Sequence, residues 1–233
     1  MRPLLKVISL LTLSMSGLSA AYGGSFSVSP IKVELAGDQR ASTITIRNDS
    51  GAPITIQVDP TEWSQREGED VLAATKEIVA GPPIFKLGPG EEQIVRVGRL
   101  IGPVQDSEKA YRLLLREVPE AATRGLAVAL RISLPIFVTP KTKIAPQLSF
   151  EWLKDAAGVH LRARNTGSQH IRVAGFTAEL ADDPVNQVHH AEAFYVLAGT
   201  YRDFPLGTAR APQAARVRAM IDGVETEFAV PAL

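Results

Sequence analysis

The side chains that most often do chemistry are few in this sequence, and they follow no spacing that catalysis or metal binding requires. The four histidines are His160, His170, His189 and His190, and cysteine is absent. The lack of cysteine excludes disulfides, thiolate metal sites and cysteine nucleophiles. His189 and His190 would point to opposite sides of an extended chain, and we interpret them as part of a solvated loop. Because G-x-S-x-G, H-E-x-x-H and glycine-rich phosphate loops are also missing, the sequence predicts no enzyme activity, no metal and no cofactor.

The composition is that of a globular protein without a strongly charged surface. The chain has 233 residues, 45% of them hydrophobic, and its 25 basic and 25 acidic side chains give a formal net charge of zero. This length suffices for one large or two modest domains. A neutral balance gives no indication of a nucleic-acid or membrane-surface partner.

The first residues predict a secretory leader rather than part of the fold. Arg2 and Lys6 precede a mostly apolar run over residues 7–18, and small residues follow at 19–21. This order is typical of a signal peptide, for which we expect residues 1–21. No later stretch approaches 18 consecutive apolar residues, so we expect an exported protein that is not inserted in a membrane.

With no catalytic or metal site indicated, the strands are the candidates for a binding function. Residues 126–138 have the clearest strand pattern. Large aliphatic residues fall on every second position of this stretch: Leu126, Val128, Leu130, Ile132 and Leu134. A period of two places all five on one face of an extended strand. That face either covers the core of its own sandwich or is donated to another protein. The pattern alone leaves both interpretations open.

The rest of the chain reads as short strands between turn residues, which predicts an all-β protein. We expect a first domain at residues 22–140, a linker at 141–146 and a smaller second β domain at 147–233. No sequence repeat links the two halves. The polar stretch at residues 65–70, after Trp63, is expected to be a solvated loop.

Four stretches, taken in order, resemble the periplasmic chaperones of chaperone-usher pilus assembly. They are Asn48 with Pro53, F-K-L-G-P-G at 85–90, Y-R-L-L-L-R-E-V-P at 111–119, and the alternating strand that ends in F-V-T-P at 137–140. The resemblance covers essentially the whole chain after the leader. The short link between Pro119 and Leu126, with the absence of cysteine, is similar to the archaic branch that handles subunits like spore coat protein U.

The resemblance implies two immunoglobulin-like β-sandwich domains and a binding function in the periplasm. A pilus subunit of this pathway lacks its last strand, and the chaperone lends it one, which is donor-strand complementation. The donor residues implied here are Leu126, Val128, Leu130 and Ile132. The implied partners are a pilus or fimbrial subunit and an outer-membrane usher. Without a subunit, self-association is an expected way to cover an exposed apolar edge.

The resemblance also implies basic residues that hold the subunit's terminal carboxylate in the cleft between the domains. Lys32 matches the family's basic position on the first strand, but the family's second position, a lysine near the end of the donor strand, is Pro135 here. Arg112 or Arg131 could replace it with charge-assisted hydrogen bonds, and we favour Arg112. The ordinary alternative for each is a solvated surface cation, which for Arg131 is the interpretation we prefer.

Two other functions fit the residues less well. The first is an exported immunoglobulin-like adhesion or structural module, in which the aliphatic face is buried internally and no subunit is bound. The second is an exported metalloenzyme built on a sandwich, which would require bound metal in the purified protein. Exposure of the aliphatic strand in the isolated protein distinguishes the chaperone from the adhesion module.

Overall fold

Strands make up all the regular structure in the described part of the chain. The computed structural model describes residues 26–102, 106–119, 129–140, 145–156, 158–181, 183–205 and 215–232, with backbone alone at 183–186. The predicted signal peptide and the donor residues Leu126 and Val128 lie outside these ranges. Within them, no helix is long and apolar enough to cross a membrane.

The strands, in chain order, are β1 (Phe26–Ser29), β2 (Val33–Ala36), β3 (Ala41–Asn48), β4 (Ile54–Arg66), β5 (Glu69–Ala74), β6 (Ile78–Gly81), β7 (Ile84–Leu87), β8 (Glu92–Arg99), β9 (Lys109–Glu117), β10 (Arg131–Thr139), β11 (Leu148–Asp155), β12 (Gly158–Asn165), β13 (Ile171–Leu180), β14 (Asp183–His190), β15 (Phe194–Val196), β16 (Tyr201–Pro205), β17 (Ala215–Ile221) and β18 (Val224–Val230). The prediction of an all-β chain is confirmed for the described residues.

The first ten strands form one β-sandwich, called here the N-terminal sandwich. One sheet has the order β1-β3-β8-β6, and the other has the order β2-β10-β9-β4-β5, with β7 also paired to β4. Alternate residues of both sheets point inward and form one buried core. Tyr111, Leu113 and Leu115 of β9 all lie in this core, as their spacing predicts.

The remaining strands form a second sandwich, called the C-terminal sandwich. Its sheets have the orders β11-β12-β16 and β14-β13-β17-β18, with β15 also paired to β13. Phe150, Leu161, Phe176 and Val217 are among the residues of its separate core. His189 and His190 lie on β14, so the expectation that they form a loop is wrong.

Each sandwich has a buried asparagine that closes a loop in the same way. Asn48, the last residue of β3, donates its side-chain amide to the carbonyl groups of Ala52, Leu87 and Gly88. Asn165, the last residue of β12, is buried in the same way. Its amide donates to three equivalent carbonyl groups, those of Gln169, Val196 and Leu197. The two sandwiches therefore share a structural repeat that sequence comparison of the halves did not reveal.

An apolar cluster joins the two sandwiches, and we call it the junction. Trp63, Ala110 and Phe137 of the N-terminal sandwich are buried against Leu197 of the C-terminal sandwich, with Tyr195 packed on them. The rings of Trp63 and Tyr195 meet edge to face, with centroids 5.4 Å apart. The junction brings the outer face of the β10 sheet against the second sandwich.

Polar side chains fix the junction on both of its flanks. On one flank, Gln65 Nε2 donates to the Tyr195 carbonyl at 2.8 Å, and Gln65 Oε1 accepts from the Leu197 amide at 2.9 Å. On the other flank, His170 Nδ1 lies 2.7 Å from Glu108 Oε1. Gln65 is 9% exposed and lies within β4 rather than in a loop. The expectation of a loop at residues 65–70 is therefore wrong, because they form the end of β4, a two-residue turn and the start of β5. The expected exposure to solvent holds for Arg66, Glu67, Glu69 and Asp70 but not for Gln65.

Candidate binding edge and basic cleft

The sheet that contains β10 is open along one side. β10 pairs with β9 over residues 131–138, whereas β2 covers its other side only over residues 136–139. Residues 131–135 consequently have no strand on that side within the described part of the chain. An open edge of this kind presents unpaired N–H and C=O groups that can pair with another chain.

The backbone direction at this edge follows from one hydrogen bond. The Glu117 amide donates to the Leu130 carbonyl at 3.0 Å, so Leu130 directs its main-chain groups toward β9. Main-chain groups alternate in direction along an antiparallel strand, so those of Arg131 and Ser133 point to the open side. Pro135 follows the same alternation, and its missing N–H therefore removes no bond between β9 and β10.

The aliphatic residues from Leu130 to Ile136 become more deeply buried along the strand. Leu134 is 3% exposed and Ile136 is fully buried in the N-terminal core. Leu130 and Ile132 are only partly buried, and they pack against the same core. The internal interpretation therefore holds for the end of the strand, whereas Leu130 and Ile132 keep exposed surface beside the open edge.

Lys32 and Arg112 approach Pro135 from opposite sides. Pro135 pairs with Arg112 on β9, and Ile136 pairs with Val33 on β2, which places Lys32 just beyond the end of that ladder. Adjacent strands lie about 4.8 Å apart, so Arg112 on β9 and Lys32, which directly precedes β2, lie on the two sides of Pro135. Pro135, which stands where the resemblance implies a lysine, thus has a basic residue on each side.

Lys32 lies near Tyr195 and Asp222 of the C-terminal sandwich, and part of its side chain is exposed. Its Nζ is 2.5 Å from Glu34 Oε1, and 46% of its side chain is exposed. The hydrogen bond to Glu34 raises the pKa of Lys32, and the negative charges of Glu34 and Asp222 act in the same direction. Lys32 is therefore cationic and accessible at neutral pH.

Arg112 is half-buried, and aromatic rings rather than a carboxylate hold it. Its guanidinium carbon lies 3.6 Å from the centroid of the Trp63 ring and 5.5 Å from that of Tyr195. Desolvation lowers the pKa of Arg112, although Asp70 partly offsets the shift. Asp70 itself pairs with Arg202 at 3.0 Å. Arg112 forms no ion pair with any of the described residues, so its donors remain free for an anion.

Arg131 does not join this group. Its side chain is exposed, and its direct cross-strand neighbour is another cation, Arg116. Arg131 lies four positions before Pro135, about 13 Å along a strand. The structure thus brings together two of the three predicted anchor residues, Lys32 and Arg112.

No pattern in the sequence indicated Trp63, Gln65 and Tyr195 as parts of this region. Trp63 and Gln65 are on the same strand, β4, whose period of two places them on one face. Tyr195 is more than 120 positions away in the chain, so no local pattern could associate it with them. No group of three or more metal-ligating side chains occurs within the described residues.

The geometry describes a sheet edge that accepts a strand, and comparison with known proteins gives the family. A family model described as "Pili and flagellar-assembly chaperone, PapD N-terminal domain" matches residues 25–143, just over half of the chain. The chain belongs to this family. It is thus a member of the pilus-assembly chaperones of the chaperone-usher pathway, which are not enzymes.

Two chaperones of Escherichia coli are among its relatives. The chain is 27% identical over 132 residues to chaperone protein PapD, covering 54% of this chain and 52% of that protein. It is 28% identical over 160 residues to chaperone protein FaeE, covering 67% of this chain and 58% of that protein. The matched part of the chain thus spans between half and three fifths of these relatives.

The fold has a close structural counterpart. The CsuC–CsuE chaperone and tip-subunit pre-assembly complex from archaic Csu pili of Acinetobacter baumannii contains a chain that matches with a TM-score of 0.72 at 18% identity. The match covers 89% of this chain and 98% of that one. The predicted fold class, two immunoglobulin-like β-sandwich domains, is confirmed.

Proposed function

We propose that this protein is a periplasmic chaperone that binds pilus subunits by donor-strand complementation and delivers them to an outer-membrane usher. The observation that best supports this function is the open edge at residues 131–135, which ends where β2 begins and where Lys32 and Arg112 flank the strand. A pilus subunit that lacks a strand needs such an edge, because main-chain hydrogen bonds give the affinity.

The position of β2 favours one direction for the incoming strand. β2 is parallel to β10, and a partner along residues 131–135 would lie in line with it. A parallel partner would bring its C-terminal carboxylate to Lys32 and Arg112, whereas an antiparallel partner would bring its ammonium group to the same two cations. Charge complementarity therefore favours a parallel strand that ends in a free carboxylate.

The aliphatic residues beside the edge supply the apolar contribution. Full burial of one such side chain contributes about 1.5–3 kcal/mol. Leu130 and Ile132 already bury part of their surface in the chaperone's own core, so each would contribute less than this. Leu126 and Val128, the other two proposed donor residues, complete the same alternation in sequence.

Co-purification with candidate pilus subunits from the periplasm tests the proposal. Val128→Glu and Leu130→Glu are expected to lose the subunit, because a carboxylate would enter the subunit's apolar groove. Ile94→Glu is the matched control, since Ile94 is 60% exposed on the other sheet. Retention of the subunit by folded Val128→Glu and Leu130→Glu proteins would support the adhesion-module interpretation instead.

A second experiment addresses the carboxylate and the usher. Arg112→Ala and Lys32→Ala are expected to weaken capture of a subunit with a free C-terminus more than capture of one extended by a short C-terminal tag. Transfer of the subunit from purified complex to usher-containing membranes, without added nucleotide, tests delivery. Failure of that transfer would contradict the delivery step and leave subunit binding unaffected.

A further inference from the structure

The guanidinium of Arg112 lies on an aromatic platform formed by the rings of Trp63 and Tyr195. Its carbon is 3.6 Å from the Trp63 centroid, which is a stacking distance. Trp63 is itself 3% exposed and contacts Phe137, with ring centroids 6.0 Å apart. Because the ring beneath it is buried and packed, the platform restricts where the guanidinium can lie.

Stacking leaves the edge of the guanidinium available. The N–H donors of arginine lie in the guanidinium plane, and a carboxylate binds them side-on in that same plane. A ring on the flat face therefore does not compete with a carboxylate at the edge. The acidic group that acts most strongly on Arg112, Asp70, is held by Gln65 at 2.9 Å and by Arg202 at 3.0 Å.

The platform is assembled from both sandwiches. Trp63 is on β4 and Tyr195 is on β15. Gln65, two residues after Trp63, binds the backbone of Tyr195 and Leu197 and also the Thr200 hydroxyl. These hydrogen bonds fix the Tyr195 ring relative to the Trp63 ring, so the geometry around Arg112 depends on the contact between the sandwiches.

We propose that Trp63 and Tyr195 are positioning residues that hold Arg112 in the plane required for a partner's terminal carboxylate. This inference rests on the proposed function, in which Arg112 binds that carboxylate. A preorganised guanidinium loses less side-chain entropy on binding than a mobile one. The contact between the two sandwiches thus contributes to ligand affinity as well as to stability.

Nuclear magnetic resonance of the folded protein labelled with ¹⁵N-arginine tests the inference, with sodium acetate as the carboxylate probe. The Nε–Hε signal of Arg112, assigned by its loss in Arg112→Lys, is expected to carry a ring-current shift and to move further as acetate is added. Trp63→Phe and Tyr195→Phe keep a ring and should retain both effects. Trp63→Leu and Tyr195→Leu should abolish or reduce the ring-current shift and weaken acetate binding by about 3- to 30-fold.

The outcomes separate this inference from the proposed function. In one outcome, Arg112→Ala abolishes subunit capture while Tyr195→Leu leaves the Arg112 signal and the acetate affinity unchanged. That result would contradict the positioning role of Trp63 and Tyr195 and support Arg112 as the carboxylate anchor. If Arg112→Ala leaves subunit capture unchanged, the proposed anchor itself is wrong. Tyr195 is only partly buried, so its variants give a result even if Trp63→Leu does not fold.

Discussion

At the scale of single residues, the two buried asparagines illustrate how one side chain can determine a loop. Asn48 is fully buried, and its Oδ1 accepts from the amide and the hydroxyl of Ser50 while its amide holds three carbonyl groups. No other neutral side chain offers both functions in this shape. The turn chemistry of residues 48–51 was visible in the sequence, but the carbonyl groups about 40 positions away were not.

Replacing either asparagine by alanine should destabilise its own sandwich. Asn48→Ala and Asn165→Ala each remove an amide that donates to three carbonyl groups, of which Gly88, Ala52 and Leu197 keep another donor. The buried Leu87 and Val196 carbonyl groups lose the asparagine's hydrogen bond, so we expect a loss of about 1–3 kcal/mol in the free energy of unfolding. Urea denaturation measures it, with exposed Gln39→Ala as the control. An effect below 0.5 kcal/mol, which is within the range of about ±0.5 kcal/mol for surface substitutions, would contradict the role given to these amides.

Glu77 makes the stability of the N-terminal sandwich sensitive to pH in the acid range. Its carboxylate accepts from the buried Tyr111 hydroxyl and from Lys109 Nζ at 3.0 Å. The Tyr111 hydrogen bond is the main cause of a pKa below the ordinary 4.5 for Glu77. Burial raises the pKa of Tyr111, so this donor stays protonated at neutral pH.

The lowered pKa of Glu77 determines how the stability of the fold changes with pH. A carboxyl that is more acidic in the folded state stabilises the protein above its unfolded pKa, and this stability is lost as the pH falls through the folded value. The difference in unfolding free energy between wild type and Glu77→Gln should therefore be constant near pH 7 and shrink below 4.5. Chemical denaturation at a series of pH values measures it, with exposed Glu92→Gln as the control. A difference independent of pH would contradict the assignment.

At the scale of elements, alternation predicted the strands because one face of each is buried in its own sandwich. Tyr111, Leu113 and Leu115 follow this rule, and the structure confirms residues 111–117 and 131–139 as strands. Both faces of β10 are buried from Leu134 to Thr139, because Phe137 packs on the other sandwich. The β4–β5 hairpin does not follow it, because Gln65 is buried against the other sandwich, whereas Arg66, Glu67 and Glu69 beside it are exposed. A polar residue that is buried by a distant partner looks the same in sequence as a solvated one.

Gly68 at the tip of this hairpin has two constraints that can be separated by experiment. Its φ is +80°, and a Cβ placed there would lie 3.2 Å from the Asp203 amide nitrogen of β16. Gly90 is a matched control, because its φ is +74° and a Cβ placed on it would meet no atom within 4 Å. The backbone strain of an alanine, about 1–3 kcal/mol, applies to both.

Gly68→Ala is therefore expected to destabilise the protein more than Gly90→Ala. Only Gly68→Ala should also shift the backbone amide signals of Arg202 and Asp203, because the hairpin must move away from β16. Thermal unfolding and ¹H–¹⁵N spectra measure the two effects. Equal destabilisation with unshifted signals would mean that the hairpin has room to adjust at this contact.

At the scale of the whole molecule, the contact between the sandwiches positions the proposed binding site. The junction combines an apolar centre with polar ties at Gln65 and Glu108. Lys32 and Arg112 lie on the N-terminal sandwich, whereas Tyr195 belongs to the C-terminal one. The sequence predicted the two basic residues by resemblance, but their relation to Tyr195 depends on contacts more than 80 positions apart.

Gln65→Ala should uncouple the two sandwiches. The substitution leaves the Tyr195 carbonyl and the Leu197 amide without the partner that Gln65 provides, at a cost of about 1–3 kcal/mol for buried groups. Because this cost falls on the contact and on neither core, we expect the calorimetric transition to broaden or split into two. Gln57→Ala is the control, since Gln57 is on the same strand and its side chain binds Asp59 within the N-terminal sandwich. A lower transition temperature with an unchanged transition width would contradict this expectation. It would mean that the apolar centre alone makes the two sandwiches unfold together, and that Tyr195 stays in place without Gln65.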